Sequence, residues 1–192
     1  MKYALLFVIL FPMLGRAQSK VTGLGNYVLG LTIPDSLNRL GFIEEDVSYV
    51  KGTIALPCTH IRTFTATTVP IAGLFVNRVI LVFYDNILFK LSCDFSDSLS
   101  IAFVTQHGPG VRKTISNLQL CYKETEKPMQ RWSTIWTSGD IMAIALHRNG
   151  YTTDCQLAQS ARLLITSQKI SALSSDCAIK PADSFSEEFD NR

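Results

Sequence analysis

The sequence predicts an α+β domain: one antiparallel, strongly twisted sheet of about six to eight strands, with two or three short helices packed mainly on one face. Three observations predict it. Apolar runs separated by polar pairs fill "IAGLFVNRVILVFYDNILFKLSCDF" (71–95), the pattern of strands joined by tight turns. β-Branched and aromatic residues, which fit a pleated surface, recur in "RTFTATTV" (62–69), "TISNLQLCY" (114–122) and "ARLLITSQ" (161–168). One stretch, "FSDSLSIAFVTQHGPG" (95–110), carries both start and stop signals of a helix.

The first residues are expected to leave. Lys2 precedes the apolar run "ALLFVILFPML" (4–14), which is too short to span a bilayer comfortably, and "GRA" (15–17) ends it with small residues. This pattern predicts a signal peptide over 1–17, cut after Ala17, and an exported chain in the periplasm or outside the cell. Residues 18–178 then form a single domain, and 179–192, with "KPADSFSEEFDNR", an acidic disordered tail. The whole chain has 18 cations and 16 anions, but Lys2 and Arg16 belong to the signal. A near-neutral mature chain offers no basic face for nucleic acid. The apolar segment 69–91 is not expected to span a membrane, because Arg78 and Asp85 would sit inside it.

Within the domain, "GNYVLGLTIPDSLNRLGF" (25–42) reads as a short strand and then a helix, with Thr32 as N-cap, Pro34 in the first turn and Gly41 at the end. "VSYVKGTIAL" (47–56) reads as a strand. In 71–95 the pairs Asn77–Arg78 and Asp85–Asn86 are taken as two-residue turns. That register puts Tyr84 opposite Ile87, Val82 opposite Phe89 and Phe75 opposite Ile80, with the Phe75, Ile80, Val82 and Phe89 side as a core face. The opposite side carries Leu74, Leu81 and Phe83 and is apolar too, so another part of this chain, a partner protein or an apolar ligand must cover it.

In 95–110, Ser96 or Asp97 caps the helix, Leu99 and Phe103 share a stripe, and Gly108 and Pro109 stop it. The glycines of "TQHGPGVRK" (105–113) therefore follow a helix C-terminus, where the field opposes an anion. "RWSTIWT" (131–137) and "DIMAIALHR" (140–148) read as a hairpin about Ser138–Gly139, and Asn149–Gly150 as a further turn.

Catalytic signatures fail on context. "SYVK" (48–51) has the spacing of an acylated serine motif but lies in a strand pattern, where its ends point to opposite faces. "TGLGN" (22–26) lacks the third glycine of a dinucleotide fingerprint and precedes a strand. "CTH" (58–60) is a thiol beside an imidazole without further partners. No calcium loop, zinc ribbon or redox C-x-x-C is present, so neither cofactor nor metal is expected. The disulfide candidates are Cys58, Cys93, Cys121, Cys155 and Cys177, five in all, with their pairing open. Trp132 and Trp136 fall on one strand face and either cover the sheet or present an aromatic pair to a sugar or peptide.

A short helix before the "VILVFYDNILFKL" hairpin, a helix ending in "QHGPG" and the Trp-bearing "RWSTIW" hairpin together resemble, over about residues 30–168, the helix-on-antiparallel-sheet domains of small exported bacterial proteins of the β-lactamase-inhibitor-like type. The resemblance implies a sheet surface that binds a protein and carries no individual contact residue across. The sequence thus points to a non-catalytic exported module that binds a protein partner through a sheet face, with Trp132, Trp136, Leu74, Leu81 and Phe83 as candidates. A carrier or sensor of a small apolar ligand is the alternative, and a thiol-dependent hydrolase using Cys58 comes third.

Overall fold

The computed structural model describes residues 19–37, 41–45, 60–122 and 128–174. The predicted signal, the strand expected over 47–56, Leu40, Cys58, Cys177 and the C-terminal tail all lie outside them.

The chain begins with a small ribbon, β1 (Gly23–Leu24) and β2 (Tyr27–Val28). There follow β3 (Ile43–Glu45), β4 (Ile61–Ile71), β5 (Leu74–Tyr84), β6 (Ile87–Asp94), α1 (Asp97–His107), β7 (Val111–Leu118), β8 (Met129–Ser138), β9 (Ile141–Tyr151), β10 (Leu157–Ser167) and α2 (Gln168–Ser174). The long strands form one eight-stranded sheet in the order β3-β4-β5-β6-β10-β9-β8-β7, antiparallel at every pairing. The α+β class read from the sequence is the class observed. Two meanders, β3 to β6 and β7 to β10, each run in sequence order, and α1 carries the chain from one to the other.

The helix predicted after Thr32 is only a 3₁₀ turn, Pro34–Ser36. Thr32 does not cap it. Its hydroxyl accepts from the Val28 N–H at 2.9 Å, closing the turn before. This N-terminal segment is held against the sheet by backbone bonds, Gly30 N–H to the Leu88 carbonyl at 2.8 Å and Leu88 N–H to the Thr32 carbonyl at 3.0 Å. Apolar side chains Val21, Leu24, Leu29, Leu37 and Phe42 then press onto the near face.

Asp85–Asn86 is a turn as expected, with φ of 48° and 63° that short polar side chains tolerate. Asn77–Arg78 is not. The first hairpin turns at Ala72–Gly73, and Leu74–Tyr84 is continuous. Arg78 does have φ 50°, but inside the strand. There β5 changes which alternate residues face inward, from Val76 to Val79, Leu81 and Phe83, and β4 changes with it, from Phe64 and Ala66 to Val69 and Ile71. A bulge between Val82 and Phe83 shifts the second hairpin too, so Val82 pairs with Lys90 rather than Phe89.

These shifts decide the core. The side carrying Leu81, Phe83, Leu88 and Leu91 is the main core, continuous with Leu163 and Ile165 of β10. Phe75, expected inside, is 78% exposed. Val82 and Phe89 form a smaller cluster with Ile61 on the far face, where Ile170 of α2 packs. Asn149–Gly150 also lies within a strand, paired with Ala158 and Gln159. Glycine is needed there for contact: a Cβ on Gly150 would stand 2.4 Å from the Pro128 carbonyl oxygen.

The helix α1 follows its signals closely. The Ser96 hydroxyl accepts from the Leu99 N–H at 3.3 Å, and Gly108, at φ 81°, donates its N–H to Val104. Leu99 and Phe103 are buried, and Phe103 meets Trp136 edge-on at 5.0 Å.

Candidate binding surfaces

The predicted partner residues separate on folding. Leu81 and Phe83 have no exposed surface, and Leu74 is half-buried against the same core. The chain itself, through the N-terminal segment and α1, covers the face they occupy, so they are core residues. Trp136 is buried as well, with its indole N–H donated to the Gly108 carbonyl at 2.8 Å. That bond ties the hairpin to the end of α1 and gives the buried N–H its partner. Trp132, four residues earlier on the same face, is half-buried. It stacks parallel on His147 at 5.0 Å, and the Arg112 guanidinium lies 4.8 Å from its ring centre. Burial first, and then the charge of Arg112, hold the His147 pKa below its ordinary value.

The described cysteines offer no nucleophile. Cys121 and Cys155 form a disulfide joining the end of the β7 arm to the β9–β10 turn. Cys93 is a free thiol, wholly buried, and burial pushes its pKa up to about 12. His60 pairs with Asp85 at 2.6 Å on the exposed edge of the β5–β6 turn and stacks on Tyr84. Among the described residues no group of three metal-ligating side chains comes together, and no helix is long and apolar enough to cross a membrane.

Two surfaces remain. The first is a cleft of about 570 Å³ that arises from topology. β6 ends at Asp94 and turns into α1, while β5 and β10 continue on either side without it. The gap is braced by charge. Arg78 Nε lies 2.8 and 2.9 Å from the Asp94 carboxylate oxygens, and the buried Arg162 reaches the Ser92 hydroxyl at 3.3 Å and the Arg78 carbonyl at 3.4 Å. Trp132 and His147 form one wall of the cleft.

The second surface is the far side of β7 to β10. Register places Val111, Ile135, Ile144 and Leu164 in one row across four strands, with Leu146 and Met142 in the rows beside it. Val111 is exposed, and the other five keep part of their surface. The helix α2 packs on β6 and β10. Cations flank the band: Arg131 lies directly opposite Arg148, and Lys113 opposite Ser133. Sequence reasoning missed this face. The signal was in "IMAIAL" (141–146), where both alternating sets are apolar.

Comparison of the chain with protein-family models, with curated proteins and with solved structures finds no match.

Proposed function

We propose that the chain is an exported, non-catalytic binding module whose far sheet face, centred on Ile144, recognises a partner protein that presents an apolar surface edged by carboxylates. The observation that carries the reading is the row Val111–Ile135–Ile144–Leu164, an apolar band on the side opposite the main core. Large apolar residues gathered on a face that the described residues leave partly exposed mark an interaction surface. Lys113, Arg131 and Arg148 beside the band select an acidic edge on the partner by charge complementarity. Export is supported by the signal-like N-terminus and fits the Cys121–Cys155 disulfide.

The apolar-ligand carrier has less behind it: Leu81, Phe83, Leu88 and Leu91 fill the middle of the space between sheet and cover, and the cavity of about 290 Å³ left at its edge beside Leu37 and Phe64 is lined by the charged Asp35, Glu44 and Arg62 as well. A thiol hydrolase finds no support in Cys93, and Cys58 lies outside the described residues.

The test compares immobilised residues 18–192 with the Ile144→Glu and Lys113→Glu variants, in the protein's native medium and envelope extract. One captured protein should be displaced by free 18–192, elute as salt rises, and be lost from both variants. Equal retention on all three surfaces, or nothing retained by folded wild type, would reject the reading. A dimer of 18–192 that Ile144→Glu dissociates would reject it in favour of a second copy as the occupant.

A further inference from the structure

Among the described residues the eight-stranded sheet has two edge strands, and they differ. β3 is three residues long and carries Glu44 and Glu45; β7 is eight residues long and carries Arg112 and Lys113. Val111 through Ile115 are all exposed. The outer edge of such a strand holds a row of backbone N–H and C=O groups that a further strand can pair. Edge cations keep chance strands away but attract an acidic one.

The charge along β7 is one-sided. Strands β7 to β10 hold Arg112, Lys113, Arg131, Arg148 and Arg162 and no carboxylate. The carboxylates lie in the connections. Asp140 already accepts from the Ser167 hydroxyl and the Lys169 N–H, Asp154 lies between β9 and β10, and Glu124 and Glu126 lie outside the described residues, between Lys123 and Lys127. Arg112 and Lys113 face the uncharged Thr134 and Ser133 across β8. The Arg112 guanidinium meets the Trp132 ring with its face, which leaves the N–H donors at its edge for a carboxylate.

The chain carries a matching segment beyond α2, "FSEEF" (185–189), outside the described residues. A segment too polar to fold alone can order on an existing edge. We propose that residues 185–189 dock on the outer edge of β7 of the same chain as an added antiparallel strand, with Glu187 opposite Lys113 and Glu188 opposite Arg112. That register also sets Phe189 against the exposed Val111 and Ser186 against Thr114. Opposite charges and apolar pairs directly across a ladder stabilise it. Val111 and Lys113 lie on the far face and Arg112 and Thr114 on the near one, and the docked residues alternate in the same way. A parallel strand would set Ser186, not Glu188, beside Arg112. At β3 the same segment would be repelled by Glu44 and Glu45.

The reach is sufficient. α2 packs on β6 and β10, and from β10 to the outside of β7 is four strand spacings, roughly 19 Å. Residues 175–185 span up to about 36 Å when extended. The docking does not rest on the far-face reading, although Lys113 is common to both: an acidic partner would have to displace the segment.

The experiment follows backbone amide hydrogen exchange in residues 18–192 by nuclear magnetic resonance, with the isolated peptide 181–192 as the unpaired reference. Alternate amides of 185–189 should exchange at least about tenfold more slowly in the protein than in the peptide, at a rate independent of protein concentration. Lys113→Glu and Glu187→Lys should each abolish that protection, and together they should restore it, since the pair is only reversed. Lys169→Glu, at an exposed cation on α2, should leave it unchanged. Unchanged exchange across the β8–β9 pairing shows that the variants remain folded. The proposal is overturned if 185–189 exchange at the peptide rate in wild type, if Lys113→Glu keeps the protection, or if the double variant fails to regain it. Protection that fades on dilution as a dimer dissociates would overturn it in favour of exchange with a second copy. No partner protein enters the assay, so its failure leaves the far-face reading untouched.

Discussion

On β9, Ala143 and Ala145 are wholly buried, while Ile144 and Leu146, their immediate neighbours in the chain, keep part of their surface. The smaller side chains thus lie on the better-covered side. Beneath α1 the sheet needs small residues, because Trp136 and Phe103 already fill the space between helix and strands. The far side carries large residues, and among the described residues the seven-residue α2 packs at one part of it. Close packing explains one face, and it does not account for the apolar character of the other.

Inserted charge distinguishes the two faces most strongly. Leu163→Lys, on the wholly buried side of β10, should abolish folding, whereas Ile144→Lys on the far face should leave a cooperative unfolding transition within about 1 kcal/mol of wild type. Circular dichroism under urea separates the two, and equal effects would mean the far face is a second core. Truncation follows in size. Phe83→Ala should cost about 3–5 kcal/mol and Ile135→Ala about 1 kcal/mol. Removing the Cys121–Cys155 bridge by a double serine substitution should cost about 2–4 kcal/mol, read as a shift in the urea midpoint. Trp136→Phe, which strands the Gly108 carbonyl, should cost about 1–3 kcal/mol.

The smallest effect is a pH dependence. His147 has a folded pKa below its ordinary value of 6.5, so the unfolded chain holds the extra proton more readily. The stability tied to the neutral ring is complete above pH 6.5 and is lost as pH falls through the folded pKa. His147→Gln should flatten that part of the stability profile. An imidazole that titrates above 6.5 in the folded protein would contradict the burial argument.

Much of this architecture was legible because local chemistry decided it. Ser96, Gly108 and Pro109 bracket α1 whatever surrounds it, and the period-two spacing of Trp132 and Trp136 fixes them on one face. Asp85–Asn86 turns because both residues accept positive φ. Where tertiary contact decides, local pattern misleads. Asn149–Gly150 has turn chemistry, yet its glycine serves the close approach of Pro128. Ala72 has no turn signature, yet it turns at φ 50°. The bulge at Val82–Phe83 and the left-handed Arg78 change the inward phase mid-strand, and no periodic rule anticipates such a change. The faces of this hairpin were therefore mixed: Phe75 was placed in the core, and Leu81 and Phe83 at a partner surface. The cleft was hidden for a related reason, since it depends on where β6 ends relative to β5 and β10.

The seam between β6 and β10 has a kinetic meaning. It runs only from Arg162 opposite Asp94 to Thr166 opposite Lys90, and it is the sole strand pairing that joins the two meanders. All other long-strand pairings link strands adjacent in sequence, so each meander can zip from its own turns with little loop entropy to overcome. Within the eight-stranded sheet, closing the seam is the strongly non-local pairing. Leu163→Ala should then slow refolding, while Ile135→Ala mainly speeds unfolding, a division stopped-flow measurements can check. By the same logic, transient opening of the seam would release each meander intact, making the pair separable units in hydrogen exchange.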